Sequence, residues 1–181
     1  MDSINTNFKL MQKNIYLSAT NIILIGFMGS GKSSAGRLLA KKMNKQFLDT
    51  DAMIESSEGI SIPEIFSMKG EAYFRQKEAE TVSWLNKNCK NAVISTGGGM
   101  LVHCPSLADV GKIVYLHVPF KTILERMSKD ELEKRPLFKD PIAAEMMYKE
   151  RDEVYERKSN HIIDASVDLE NVVSKLVSLG L

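Results

Sequence analysis

The chain has 181 residues, 44% hydrophobic and 26% charged, which is globular composition with enough apolar material for one domain around a full core. A net charge of +1 excludes the positive field needed to bind nucleic acid, so any basic group here works locally against a small anion. Cys89 and Cys104 form no C-x-x-C pair, which excludes a disulfide framework and fits buried free thiols in a reducing, cytoplasmic setting.

The stretch 1–20 mixes polar and apolar residues without a signal-peptide core and reads as a flexible extension, with Met11 a second candidate start. No apolar run reaches membrane-spanning length, so no membrane association is expected. From 21 to 181 a single domain is expected, in which strand-like runs alternate with helix-period segments. The strands fall near 22–26, 46–49, 92–95, 112–117 and 161–164, and the helices at 32–43, 61–69, 71–88, 120–127, 141–158 and 169–179. That alternation predicts an α/β fold with a central, mostly parallel five-stranded sheet flanked by helices, its ligands gathered beyond the carboxyl ends of the strands.

Directly after the first strand, Gly26-Phe27-Met28-Gly29-Ser30-Gly31-Lys32-Ser33 fits G-x-x-x-x-G-K-[ST] and opens a helix. Glycines there let successive backbone N–H groups turn inward around a phosphate. Lys32 supplies a point charge and the Ser33 hydroxyl a ligand for magnesium. The second strand ends in Asp49-Thr50-Asp51, where strand alternation is expected to send both carboxylates the same way, toward the loop. Asp49 is placed near a magnesium ion through water. Asp51 is placed to accept a substrate hydroxyl as base or orienting group, with a helix cap as the alternative.

Further on, Arg75 precedes Glu78 by three residues, the spacing of a helical ion pair. By itself such a pair is a weak surface feature. Gly97-Gly98-Gly99 follows the third strand and allows either close backbone approach to a ligand or a plain flexible turn. Arg135 lies in a charged segment at about 128–140 that reads either as a lid over phosphates or as solvated charge, and Arg151 stands four residues before Tyr155 on the next helix. His103, His117 and His161 share no metal-ligand spacing and read as structural; the methionines and Trp84 read as packing.

Taken together, the phosphate loop, Phe47-Leu48-Asp49-Thr50-Asp51, Gly70-Glu71 with Phe74-Arg75 and Glu78, Gly97-Gly98-Gly99, Arg135-Pro136-Leu137, and Arg151 with Tyr155 resemble the shikimate kinase family. The resemblance spans about 21–164 and implies a three-layer P-loop NTPase fold with a lid. It also implies ATP-dependent phosphorylation of the shikimate 3-hydroxyl in aromatic amino-acid biosynthesis, by a monomer whose partners are ATP, Mg2+ and shikimate. By it, Gly29, Ser30, Gly31, Lys32, Ser33 and Ser34 bind the nucleotide, with Arg126 at the adenine and Arg135 as the lid arginine. Ser33 and Asp49 serve the metal. Asp51, Arg75, Gly97, Gly98, Gly99 and Arg151 hold shikimate, with Lys32, Asp51 and Arg135 as the catalytic groups and Glu78 as support for Arg75. The alternatives are a kinase of another hydroxy acid such as gluconate, and a nucleotide-switched regulatory protein.

Overall fold

The structure, a computed structural model, describes residues 20–128, 132 and 136–181. The expected extension up to residue 19 and, within the expected lid, Arg135 lie outside the described residues. Strands β1 (Asn21–Ile25), β2 (Gln46–Asp49), β3 (Ala92–Ser95), β4 (Gly111–His117) and β5 (His161–Asp164) form one five-stranded sheet. Its order is β2-β3-β1-β4-β5, and every neighbouring pair is parallel. The helices are α1 (Lys32–Met43), α2 (Thr50–Glu58), α3 (Ile62–Asn88), α4 (Met100–His103), α5 (Phe120–Arg126), α6 (Pro141–Lys158) and α7 (Leu169–Ser178).

β1 reads as a continuous apolar run because it is buried on both faces. Ile22 and Leu24 join a core with Ala35, Leu39 and Ala40 of α1 and Val172, Val173 and Leu176 of α7. Ile23 and Ile25 point the other way, to Val82 and Leu85 of α3 and Tyr155 of α6. Each such side chain contributes about 1.5–3 kcal/mol on burial. At the amino end of the sheet, Asn21 is 1% exposed and its amide ties three segments, donating to Cys89 O and Val110 O and accepting from Ala92 N. β1 is flanked by β3 and β4, so the chain's connections diverge at its carboxyl end. A crevice at that point is where ligands bind in open parallel sheets, and it is where the phosphate loop lies.

The helices expected at 61–69 and 71–88 are both present within α3, separated at Gly70 by non-helical backbone (φ 80, ψ 171). Other expectations change. β2 stops at Asp49 and α2 begins at Thr50, so the alternation argument for Asp49 and Asp51 does not hold. The four-residue helix α4 after the glycine run was not expected. Trp84 is 50% exposed and Met68 71%, because both face outward from α3, whereas Met100 is fully buried as expected of packing. Among the described residues no helix is long and apolar enough to cross a membrane.

Candidate active site

The loop between β1 and α1 curls so that Ser30 N–H donates to Phe27 O at 3.2 Å, and Gly31 takes the left-handed conformation (φ 86) as N-cap of α1. A β-carbon at Gly31 would be strained by that φ rather than crowded. Lys32, 8% exposed, reaches back over the loop and donates to Gly26 O and Phe27 O, each at 2.9 Å, and to Ser30 Oγ at 3.4 Å. Ser33 Oγ donates to Asp49 Oδ2 at 2.8 Å and lies 3.2 Å from Ser95 Oγ, at the end of β3.

Asp49 has a second task. Its Oδ1 accepts from the backbone N–H groups of Asp51 (3.1 Å) and Ala52 (3.4 Å), capping α2. The cap is therefore Asp49 and not Asp51, and the chain reversal at Thr50, not strand alternation, brings the two carboxylates to one place. Asp51 Oδ1 is buried and has no hydrogen-bond partner among the described residues. Burial first, and then the Asp49 charge, push the Asp51 carboxyl up to about 6, against the pull of Lys32.

The glycine run explains itself by what lies on it. A β-carbon added to Gly97 would fall on Asp51 Oδ1, one on Gly98 would sit 3.3 Å from Arg151 Nη1, and one on Gly99 would sit 2.7 Å from Arg75 Nη1. Three consecutive positions thus each carry one functional side chain against bare backbone. Thr50 Oγ1 accepts from Gly97 N–H at 3.1 Å, tying α2 to the run, and the Tyr155 hydroxyl donates to Gly98 O, tying α6 to it. Burial, with Arg151 opposing it, pushes the Tyr155 hydroxyl up to about 12, so it stays a donor.

Arg75 lies across α3 with Nη1 donating to Glu78 Oε2 at 2.8 Å. The pair is not the surface feature its spacing alone suggests, because the Glu78 side chain is 1% exposed. Burial pushes the Glu78 carboxyl up despite Arg75, and its Oε1 has no partner among the described residues.

A cavity of about 550 Å³ is lined by Gly29, Gly31, Lys32, Ser33, Ser34, Asp49, Asp51 and Gly98, with Met28, Ile62, Ser95 and Thr96. A second, of about 360 Å³, shares Gly31 and Ser34 with it and adds Ser30, Arg126 and the segment after β5. Arg126 Nη1 donates to Ala165 O at 2.8 Å and Nη2 to Ser166 O and Val167 O, so Arg126 holds that segment against the pocket. Of the expected site residues, Gly29, Ser30, Gly31, Lys32, Ser33, Ser34, Asp49, Asp51, Gly98 and Arg126 line one or other of two adjoining cavities, Gly97, Gly99, Arg75 and Arg151 meet at the glycine run beside Gly98, and Arg135 lies outside the described residues. Sequence reasoning missed Ser95, Thr96, Met28 and Ile62. The place of Ser95 at the carboxyl end of a strand was the one available signal for it.

A family model for shikimate kinase matches residues 28–179. The shikimate kinase of Helicobacter hepaticus is 43% identical over 157 residues, 87% of this chain and 93% of that protein. One from Clostridium botulinum is 44% identical over 162 residues, 87% and 94% of the two chains. The solved structure of shikimate kinase from Acinetobacter baumannii in complex with shikimate superposes with a TM-score of 0.82 at 31% identity, covering 91% of this chain and 94% of that one. With a phosphate loop and paired arginines on bare glycine backbone at the switch point, and with relatives at this identity over most of its length, the chain belongs to the shikimate kinase family.

Proposed function

We propose that this chain transfers the γ-phosphoryl group of ATP to the 3-hydroxyl of shikimate, with Asp51 taking the hydroxyl proton and Arg75 and Arg151 holding the carboxylate. The reaction follows from the family: its members phosphorylate shikimate with ATP, as a step of aromatic biosynthesis. The assignment of residues rests on one observation, the seating of Asp51, Arg151 and Arg75 on three successive glycines. One base and two cations facing a strip of backbone match a small ring that carries hydroxyls at one end and an anion at the other.

The orphaned Asp51 Oδ1 is the acceptor for the substrate hydroxyl. As that oxygen bonds to phosphorus and the bond to the ADP oxygen breaks, the proton passes to Asp51. Lys32 turns from the loop carbonyls to the phosphates, and Gly29, Ser30, Gly31, Ser33 and Ser34 surround them, with the base in the Arg126 pocket. Arg135, outside the described residues, is assigned to the phosphates as the lid arginine by the family resemblance alone. The hard oxygen donors Ser33 Oγ and, through water, Asp49 Oδ2 would hold Mg2+ beside the phosphates. Bound there, Mg2+ neutralises phosphate charge. No cluster of three or more His, Cys, Asp or Glu side chains exists among the described residues to hold a metal unaided. The reading extends to a monomer in the cytoplasm: one chain supplies the cavity walls, and Cys89 and Cys104 are both free and buried.

The test is ADP release with and without shikimate, followed by Arg75→Lys and Arg151→Lys. Lysine keeps the charge and loses the planar fork, so each variant is expected to raise the shikimate dissociation constant. A charge-assisted contact of about 1.5–3 kcal/mol corresponds to roughly ten- to hundred-fold, with ATP affinity little moved. Unchanged shikimate affinity in both would refute the clamp, and ADP release indifferent to shikimate would refute the function.

A further inference from the structure

Glu71 and Glu78 both engage the Arg75 guanidinium. Nη1 donates to Glu78 Oε2 at 2.8 Å, while Nε and Nη2 both donate to Glu71 Oε1, at 3.1 and 2.7 Å. The two partners differ in burial: the Glu78 side chain is 1% exposed and that of Glu71 61%. Removing a buried partner strands a charge, whereas an exposed pair is separated at little cost. Besides the hydrogen bond from Arg75, which is the main cause, His103 and Arg151 help hold the Glu71 carboxyl below its usual range. Its carboxylate thus stands in the field of both arginines that the proposed function assigns to the substrate's carboxylate.

We infer that Glu71 is a specificity-determining stand-in for the substrate's carboxylate: it occupies the outer edge of Arg75 while the site is empty and is replaced there by a carboxylate the ligand brings. The inference rests on the reading of Arg75 and Arg151 as the carboxylate clamp. Its consequence is selection by exchange. A ligand with its own carboxylate replaces like with like, while an uncharged analogue of the same shape cannot take over the contact and gains nothing from Arg75.

Isothermal titration of shikimate and of its methyl ester into the parent, Glu71→Gln and Glu71→Ala tests this. Shikimate is expected to bind about two- to five-fold tighter once the competing exposed pair is gone, with the ester unmoved. The gain is largest in Glu71→Ala, because glutamine still offers a neutral acceptor. Shikimate affinity that is unchanged or weaker in Glu71→Ala, or an ester that tightens equally, overturns the inference. Arg75→Lys, titrated alongside, separates the two failures. If it leaves shikimate binding unchanged, the clamp itself falls; if it weakens binding while Glu71→Ala gains nothing, only the stand-in role falls.

Discussion

In the folded chain the Asp51 carboxyl titrates near 6 instead of its ordinary 3.8, first through burial and then through the Asp49 charge. Between those values the folded state binds a proton that the unfolded state has released, so stability falls as pH rises through the window, and the full cost is present above it. A shift of that size corresponds to about 2–3 kcal/mol. Asp51→Asn is therefore expected to be the more stable protein at pH 7 by up to that amount, the advantage fading as pH is lowered toward 4. Denaturant melts at pH 7 and pH 4 measure it. The same variant loses most of kcat/KM, and the parent's kcat/KM falls below about pH 6 as Asp51 protonates. A gap that is flat with pH would place the titration elsewhere. The place of Lys32 was legible in the loop motif, whereas spacing alone made Arg75 a surface pair, and the proposed roles of Arg75 and Arg151 came from the family resemblance. Ser95 offered only its place at a strand end, and Ile62 offered nothing, since an isoleucine at a helix start carries no signal until the fold sets it on the cavity.

Among the elements, α2 joins Asp51 to the sheet, and its start shows how Asp49 and Asp51, grouped by strand alternation in the sequence, reach one cavity by another route. Asp-x-Asp at a strand end looks like continued alternation, but Asp49 side-chain capping turns the chain at Thr50, which hydrogen-bonds would-be strand N–H groups locally instead. Asparagine caps as well as aspartate and alanine does not. Asp49→Asn is thus expected to keep parental stability while needing more magnesium for activity, and Asp49→Ala to need more magnesium and also lose about 1 kcal/mol of stability. Thermal melts with magnesium titrations of activity distinguish them, and equal destabilisation in the two variants would remove the cap from the account. The break at Gly70 was legible as an interruption between two helical periods, and its positive φ of 80 is a conformation that glycine adopts freely.

For the whole molecule, the two cavities share Gly31 and Ser34 as a wall, so ligands in each bear on one loop. A ligand that binds only the folded state adds about 2.7 kcal/mol at a hundred times its dissociation constant. Mg·ATP and shikimate are each expected to raise the melting temperature, and Arg75→Lys to abolish most of the shikimate shift while sparing that of ATP. Equal loss of both shifts would mean that Arg75 supports the fold and not the substrate. The five-stranded parallel sheet was legible from runs of strand length, although the strand order was not: the polar ends of β2 (Gln46–Asp49) and β5 (His161–Asp164) suit edge strands, but nothing in them says which edge each takes. That order has a consequence during synthesis. β1 pairs only with β3 and β4, whose residues begin at Ala92 and Gly111, and not with β2. While the ribosome is still adding residues short of 111, the strand that presents the phosphate loop has at most one neighbour, and its other edge is open to any extended chain nearby. The nucleotide site therefore cannot form progressively as the chain emerges; it waits for the far half of the protein, and a nascent chain stalled before β4 is the form most exposed to mispairing.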